Sequence, residues 1–572
     1  MDVFRTDRIR NVVLLGHGGA GKTTLAEAMA YLAGMTNRLG RVEDGNTVSD
    51  YDKEEIKRHF SISTTLIPVP WDKVKINVLD TPGYFDFVGE VEEAVSVADA
   101  AIIVVNCKAG IEVGTEKAWE LCEEYRLPRI IFVTNMDDDH ASFRELILKL
   151  EKQFGRKIAP FQVPIRENEK FVGFVNAVKM EGRRFTNLSD YEECEIPEYT
   201  KKNLGIIRDA LIEAVAETSE EYMERYFSGE EFTQKERVDG IHKGMRDGTI
   251  TPVACVSAQM LEGVDLLCKE MELLVPEASD EIAALNQNGE EVVLHQSPEE
   301  PVCVQVYQTL ADPYVGKLSM MRVISGTLKA GAELVNSKTG ATEKLNKLFF
   351  LCGKKQTETA VAEAGDLVAA TKLSANTGDT LCDSSRVVSL PRSSFPTPCY
   401  SMAVRPAARG DEAKVAAAIQ KILEEDQTLS YQQNPATNEM ILSGLGEQHL
   451  SAVISKLKAD FGVDVVLSVP KIAYRETIRK KVKVQGKYKK QSGGHGQYGD
   501  VWIEFEPYPS EELVFEEKVF GGAVPRNFFP AVEKGLQESY TKGVLAGFPV
   551  VGVKAILVDG SYHPVDSSET NP

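Results

Sequence analysis

The chain lacks the features that mark membrane, secreted or fibrous proteins. Among its 572 residues no apolar run approaches the ~18 residues of a membrane span, and the start, MDVFRTDRIR, lacks the apolar core of a signal peptide. The nine cysteines are scattered and never spaced C-x-x-C, and no segment is of low complexity. These absences predict a cytoplasmic protein with reduced thiols and no membrane partner.

A surplus of positive charge is also missing. The formal net charge of −21 argues against non-specific nucleic-acid binding by the whole molecule. One local exception is the basic segment RKKVKVQGKYKK at 479–490, where the charges alternate with Val and Tyr as in an exposed strand. On its own this segment is typical of a solvated edge strand. The length predicts roughly three to five domains.

A phosphate-binding loop is predicted near the N-terminus. The sequence runs from a β-branched apolar strand (NVVLL) through GHGGAGKTT into a helix-forming segment (LAEAMAYL). Gly16, Gly21, Lys22 and Thr23 fill the pattern G-x-x-x-x-G-K-[ST], in which backbone N–H groups converge on phosphates. A structural glycine-rich turn is the alternative, but the flanking strand and helix favour phosphate binding. The predicted cradle comprises Gly16, His17, Gly18, Gly19, Ala20, Gly21, Lys22, Thr23 and Thr24, with Lys22 on the β/γ oxygens and the Thr23 hydroxyl on Mg²⁺.

Further strands alternate with helices, which predicts a doubly wound, mostly parallel sheet with its ligand at the strand carboxyl ends. Asp80 and Gly83 follow the strand VKINVLD, where a carboxylate can hold Mg²⁺ through water and an N–H can meet a γ-phosphate. Asp137 follows PRIIFVTN, and a carboxylate there can accept both guanine N1–H and the N2 amine, which adenine cannot offer. Ser257 and Ala258 follow TPVACV.

Taken in order, these motifs resemble those of the translational GTPases, and of the elongation factor G family in particular. The resemblance implies a GTPase that binds GTP or GDP with Mg²⁺, with switch I at 49–63 and switch II at 80–87. It implies that Ser61 is a further Mg²⁺ ligand, that Gly83 and Lys22 serve catalysis, and that Thr134, Asn135 and Asp137 read the base beside Ser257 and Ala258.

Several positions depart from the family pattern, and three of them bear most on nucleotide binding and hydrolysis. Gly19 replaces an Asp of the phosphate loop, and Asn135 replaces the Lys that packs over the base. Tyr84 stands where the family has the His that orients the attacking water. Loss of an imidazole predicts slower hydrolysis by ~10² to 10⁴, unless the Tyr84 phenol positions water instead. The alternative is that Tyr84 only packs against switch I.

The resemblance also implies the domain order: a P-loop GTPase domain, a β-barrel, an α+β sandwich and a partial α+β domain. The predicted boundaries are 1–285 for the GTP-binding domain, with an inserted subdomain at about 158–250, then 286–390, 391–475 and 476–572. The last domain is expected to be incomplete and a fifth domain to be absent. His449, at a predicted helix start, is interpreted as a capping or packing residue.

An RNA-contacting tip is predicted in the last domain. Four glycines among Ser492 to Gly499 allow close backbone approach to a ligand, and the basic strand lies beside them in sequence. Residues expected to contact RNA are Lys487, Lys489, Lys490, His495, Gln497, Tyr498 and His563. The expected partners are the ribosome, through rRNA and stalk proteins, and tRNA–mRNA at the decoding centre, with the protein acting as a monomer in translocation. The alternative function is a GTP-gated ribosome-binding protein with little hydrolysis, used in protection, rescue or regulation.

Overall fold

The computed structural model describes residues 2–138, 141–155, 157–168, 170–186, 191–261, 263–265, 268–269, 271, 275, 281–312, 316–392, 394–491 and 496–567. The chain divides into two compact units: residues 1–432 with 441–468, and residues 433–440 with 469–572. Each unit is described by itself. No helix in the described ranges is long and apolar enough to cross a bilayer.

The first part of the chain alternates strands and helices. The strands are β1 Ile9–Leu15, β2 Thr65–Trp71, β3 Val74–Asp80, β4 Ala100–Asn106, β5 Arg129–Thr134, β6 Ile158–Pro160, β7 Gln162–Glu167, β8 Lys170–Asn176, β9 Glu181–Phe185, β10 Tyr191–Cys194 and β11 Thr251–Cys255. The helices are α1 Lys22–Leu32, α2 Lys53–Arg58, α3 Val88–Val95, α4 Val113–Glu124, α5 Phe143–Phe154, α6 Glu198–Ala216, α7 Glu220–Ser228 and α8 Gln234–Arg246.

A seven-stranded sheet forms the centre of this part, in the order β2-β3-β1-β4-β5-β11-β6. Only the β2–β3 pair among the recorded pairings is antiparallel; β1, β3, β4, β5, β11 and β6 pair in parallel. Strands β1, β3 and β5 are buried at every position, as expected for parallel strands covered on both faces. The predicted doubly wound sheet is confirmed.

A second sheet, of the order β10-β9-β8-β7, occupies the predicted insertion together with α6, α7 and α8. Its strands pair antiparallel. Strand β6, in contrast, pairs with β11 in the central sheet, so the separate sheet begins at Gln162. The pairing of β7 with β8 shifts register between Ile165 and Arg166.

The next part is rich in short strands, as predicted. They are β12 Glu281–Asn286, β13 Glu291–His295, β14 Cys303–Asp312, β15 Gly316–Ser325, β16 Thr327–Lys329, β17 Ala332–Asn336, β18 Thr342–Leu345, β19 Leu348–Cys352, β20 Lys355–Thr359, β21 Val361–Glu363, β22 Leu367–Thr371, β23 Thr380–Cys382 and β24 Val388–Ser389. Eight of them form an antiparallel sheet, β18-β17-β23-β14-β15-β22-β19-β20. Leu345 on β18 and Phe350 on β19, near opposite ends of that order, share one core cluster, so the sheet curls around its core as barrel sheets do.

A buried ion pair joins the central sheet to this β-rich part. The Nζ of Lys75, on β3, lies 2.7 Å from Asp366 Oδ1 and 2.9 Å from Oδ2. The two side chains are 1% and 0% exposed. Asn77 donates to Asp366 Oδ1 at 3.1 Å, and the Lys75 ammonium lies 3.9 Å from the ring centre of Phe350. Every charge in this contact therefore has a polar or aromatic partner, which buried charges require.

The remaining elements are small α+β arrangements. Elements β25 Tyr400–Pro406, α9 Glu412–Glu425, β26 Ser430–Asn434, β27 Glu439–Gly444, α10 Glu447–Phe461 and β28 Val465–Ser468 come first. Val415, Ile419 and Ile422 on α9 are all buried, as their helical spacing predicts. The second unit then contains β29 Val482–Lys490, β30 Gln497–Pro507, β31 Val514–Glu517, α11 Phe529–Tyr540 and β32 Val553–Ser561, with the sheet order β29-β30-β32-β31.

Candidate functional site

The predicted phosphate loop connects β1 to the start of α1 at Lys22. Gly16 has a φ of +142°, and a Cβ there would lie 2.4 Å from the Val104 carbonyl oxygen, so only glycine fits. Lys22 Nζ donates to the carbonyl oxygens of Gly16 and His17 at 2.9 and 3.0 Å. The carbonyl oxygens of the loop therefore hold the lysine ammonium beside the loop.

A cavity of about 260 Å³ opens beside this loop. It collects segments that are far apart in sequence: the phosphate loop, the predicted switches I and II, and the two base-reading loops. The predicted site residues that line it are Gly18, Gly19, Gly21, Lys22, Thr23, Thr24, Ser61, Gly83, Tyr84, Thr134, Asn135, Asp137 and Ala258.

Five other predicted residues are not among those that line the cavity. Gly16 and Ala20 support the loop, since the Ala20 carbonyl accepts from Thr134 Oγ1 at 2.7 Å. His17 accepts from the Gly114 N–H through Nδ1 at 3.3 Å. Asp80 and Ser257 are fully buried. Each is hydrogen-bonded to a neighbouring side chain: Asp80 accepts from Ser49, and Ser257 donates to Asp137.

Oxygen atoms suited to a divalent cation cluster at one side of the cavity. The hydroxyls of Thr23 and Ser61 lie 3.1 Å apart, and Ser49 donates to Asp80 Oδ2 at 2.6 Å. Within the described residues, Asp80 Oδ1 and both carboxylate oxygens of Asp50 are buried without a well-aligned hydrogen-bond donor. Hydroxyl and carboxylate oxygens with unused lone pairs are the donors that Mg²⁺ prefers, so the residues present fit Mg²⁺.

Asp50 was not among the residues predicted for the site, yet it lines the cavity and is 3% exposed. Its position inside the predicted switch I, eleven residues before Ser61 in the sequence, was the available signal. Ser49, Phe60, Thr81 and Gln259 were missed as well. All of them lie within or directly beside motifs that the sequence identified, but the motif patterns do not specify these positions.

Burial sets the electrostatics of the site. It lowers the pKa of Lys22 to about 8, while Asp80 and Asp50 oppose the shift. It raises the pKa of Asp80 to about 6, an effect that Asp50 strengthens and that the Ser49 hydroxyl opposes. A bound cation would favour both carboxylates in their charged form, because an opposite charge counteracts the cost of burial.

Two buried glutamates accept hydrogen bonds from the backbone before the predicted switch I and at its end. Glu27 on α1 accepts from the Gly40 and Val48 N–H groups at 2.9 and 2.8 Å. Glu55 on α2 accepts from the Ile62 and Ser63 N–H groups at 2.9 and 3.1 Å. These contacts hold Ser61 at the cavity.

Tyr84, a residue of the predicted switch II, lies beside switch I and the phosphate loop. Its ring centre is 4.5 Å from that of Phe60, and a Cβ added to Gly18 would lie 3.3 Å from Tyr84 Cε2. The side chain is 47% exposed and lines the cavity. The ring therefore packs against switch I while the residue also forms part of the cavity lining.

The end of the cavity that is predicted to bind the base is built on Thr134, the last residue of β5. Asn135 adopts a left-handed conformation with a φ of +57°. Ser257 donates to Asp137 Oδ1 at 2.8 Å, which fixes the orientation of the carboxylate.

Switch II contacts the start of α10. The Asp86 carboxylate accepts from the His449 N–H at 3.1 Å, a favourable place for a negative charge at a helix N-terminus. A Cβ at Gly446 would meet this carboxylate at 2.3 Å. His449 is 3% exposed, and its Nε2 lies 2.6 Å from Asp426, which supports its interpretation as a packing residue.

In the second unit, the residues predicted to contact RNA lie on the β29–β30 hairpin and after β32. Lys489 pairs with Tyr498 and Lys490 with Gln497, and all of β29 is exposed. Lys487 lies 3.7 Å from Asp500. The His563 ring is 6.3 Å from that of Tyr498, so β29, β30 and the segment after β32 converge there. His495 lies outside the described residues.

A phosphate loop at the carboxyl edge of a parallel sheet, opening on a cavity that Asp137 also lines, is the arrangement of a P-loop nucleotide-binding domain. Family models agree. The model described as Elongation factor Tu GTP binding domain matches residues 7–277. The models for elongation factor G domain 2, domain III and domain IV match residues 301–384, 395–469 and 470–571.

Comparison with individual relatives identifies the family to which this nucleotide-binding protein belongs. Elongation factor G of Thermotoga neapolitana is 38% identical, over 98% of this chain and 82% of the relative. That of Fervidobacterium nodosum is 37% identical with the same coverage. A crystal structure of a protein from Thermus thermophilus superposes with a TM-score of 0.85 at 37% identity, over 99% of this chain and 83% of that one. The chain belongs to the elongation factor G family of translational GTPases, and these relatives do not favour a binding protein without hydrolysis.

Proposed function

We propose that this GTPase couples GTP hydrolysis to the movement of tRNA and mRNA on the ribosome, acting as a cytoplasmic monomer. The observation that carries the proposal is the single cavity shared by the phosphate loop, both switches and the base-reading loops. A nucleotide in that cavity contacts both switches at once. Its γ-phosphate can therefore order them, and hydrolysis can release them.

In this proposal Lys22 and the loop N–H groups of 16–24 bind the phosphates, and Gly83 contributes its N–H to the γ-phosphate. Thr23, Ser61 and Asp80, the last through water, hold Mg²⁺, with Asp50 beside them. Mg²⁺, when bound, neutralises charge on the β- and γ-phosphates. Asp137 selects guanine, and Ser257 and Ala258 complete the base site with Thr134 and Asn135.

Tyr84 orients the attacking water through its hydroxyl, in the role that the family gives to His. The phenol is a weak base because its usual pKa is near 10, so it contributes by hydrogen bonding and position. Lys487, Lys489, Lys490, His495, Gln497, Tyr498 and His563 contact tRNA or rRNA. Stalk proteins are the further ribosomal partners, and the domains follow the boundaries predicted from the sequence.

The test is multiple-turnover GTP hydrolysis by the full chain with purified ribosomes, comparing the wild type with Tyr84→Phe and Tyr84→His. We expect ribosome-stimulated turnover in the wild type, loss of roughly 10²-fold or more in Tyr84→Phe, and activity in Tyr84→His. Tyr84→Phe is the matched control because it keeps the ring that packs on Phe60 and removes only the hydroxyl.

Two results would contradict the proposal. Bound GTP without turnover in the wild type, restored by histidine, would indicate a nucleotide-gated binding protein. Full activity in Tyr84→Phe would remove Tyr84 from the chemistry and leave it a packing residue. Competition between GTP and ATP in the same assay checks the base selectivity assigned to Asp137.

A further inference from the structure

Arg166, on strand β7 of the inserted subdomain, reaches the base-reading loop. Its Nη2 donates to the Met136 carbonyl oxygen at 2.6 Å. Nη1 and Nη2 each lie 3.4 Å from the Asp138 carbonyl oxygen. The guanidinium thus contacts the carbonyl groups on both sides of Asp137. None of the sequence motifs described above includes Arg166.

The backbone around Arg166 is shaped for this contact. The β7–β8 register shifts between Ile165 and Arg166 because β8 carries one extra residue, Val172, at this point, and Arg166 stays paired with Phe171. The Tyr199 hydroxyl, on α6, bonds both the N–H and the carbonyl of Arg166 at 3.1 Å. Two elements of the inserted subdomain therefore fix where the guanidinium points.

The loop that Arg166 holds needs support from outside. Asn135 is in a left-handed conformation, which costs energy for a residue other than glycine. The Asp138 N–H bonds back to the Asn135 carbonyl at 3.2 Å, and Lys108 pairs with the Asp138 carboxylate at 3.1 Å. Met136 is fully buried. Asp137 is thus presented by a tight turn whose carbonyls face a cation.

We propose that Arg166 is a positioning residue for guanine recognition: it holds the turn at 135–138 so that Asp137 meets the N1–H and N2 amine of the base. The inserted subdomain thereby takes part in nucleotide selection. The inference rests on the proposed function, since it assumes that Asp137 binds guanine. Arg166 itself does not contact the base.

The test compares GDP with IDP binding to the full chain by isothermal titration calorimetry. Hypoxanthine lacks the 2-amino group, so the ratio of the two affinities reports how well Asp137 is aligned. In Arg166→Ala we expect GDP affinity to fall about tenfold, equivalent to about 1.4 kcal/mol. IDP affinity should fall less, so the ratio drops. Arg166→Lys should recover part of the ratio, because lysine keeps the charge but not the planar fork of donors.

Arg184→Ala is the matched control, since Arg184 lies on β9 of the same sheet and pairs with Glu167 at the surface. It should leave both affinities unchanged. Tyr199→Phe, which removes only a hydroxyl, should lower the GDP/IDP ratio in the same direction as Arg166→Ala. An unchanged ratio in both Arg166→Ala and Tyr199→Phe, or equal losses for GDP and IDP, would overturn the inference. A wild type that binds ADP as well as GDP would instead overturn the proposed function.

Discussion

Substitutions at Gly18 and Tyr84 are expected to have non-additive effects on nucleotide affinity. A Cβ at Gly18 would lie 3.3, 3.5 and 3.6 Å from the Cε2, Cδ2 and Cζ atoms of the Tyr84 ring. The first distance is already tight, and the two further methyl groups of valine have to displace either the ring or the phosphate loop. The φ of Gly18 is not in the left-handed region, so backbone strain does not confuse the comparison.

The size of the effect follows from packing energies. Overpacking of this kind costs about 1–3 kcal/mol, which corresponds to a loss of nucleotide affinity between about 5-fold and 150-fold if the loop is what moves. Tyr84→Ala alone loses the contact with Phe60, worth about 0.5–1.5 kcal/mol for an aromatic pair. In the double variant the clash is gone, and most of the Gly18→Val penalty should disappear.

Equilibrium GDP binding by the wild type, Gly18→Val, Tyr84→Ala and the double variant measures this coupling. We expect an interaction energy of about 1–3 kcal/mol that favours the double variant. Additivity within about 0.5 kcal/mol would refute the reasoning, since it would mean that Tyr84 does not occupy the space above Gly18 in the nucleotide-binding state.

Two further predictions concern Glu90 on α3 and Asp86 in switch II. Burial raises the pKa of Glu90, on α3, from 4.5 to about 7, opposed by its bond from the Thr64 N–H. The folded state therefore holds the proton more tightly than the unfolded chain, and this stabilisation is lost as pH rises from 4.5 to about 7. Glu90→Gln should gain thermal stability relative to the wild type over this interval, and parallel melting curves against pH would contradict this. Gly446→Ala should displace the Asp86 carboxylate from the start of α10 and lower the melting temperature by an amount equivalent to about 1–2 kcal/mol. Gly486→Ala is the control, because its Cβ would lie at an ordinary contact distance of 3.7 Å from Val501, and it should leave the melting temperature unchanged. Equal melting temperatures for the two variants would argue against a stabilising Asp86 contact.

Sequence patterns predicted the parts of this molecule that are encoded locally. The strands β1, β3 and β4 follow segments rich in β-branched and other apolar residues, and the phosphate loop follows from glycine spacing, because both depend on neighbouring residues. Because the carboxyl ends of parallel strands lie at one edge of the sheet, the predicted strands also indicated that Asp80, Asp137 and Ser257 lie close together there.

The contacts that sequence could not supply join residues without a shared local pattern. Nothing in the spacing of Gly18, Phe60 and Tyr84 indicates that Tyr84 contacts the other two, and the contact of Arg166 with the turn at 135–138 has no residue signature of its own. Asp50 was hidden for a different reason: an acidic residue in a polar segment is most often solvated, and only the fold shows that this one is buried.

The ion pair between Lys75 and Asp366 limits how this protein can be recombined with its relatives. If the β-rich part were replaced by one with an apolar residue at position 366, Lys75 would remain as an uncompensated buried cation, at a cost of about 3–5 kcal/mol. Chimeras should therefore fold only when both positions are exchanged together. The GTP-binding and β-rich parts also share apolar packing, since Val13 and Ile103 lie in one buried cluster with Met320 and Leu367, so the two parts are matched to each other and are not interchangeable modules.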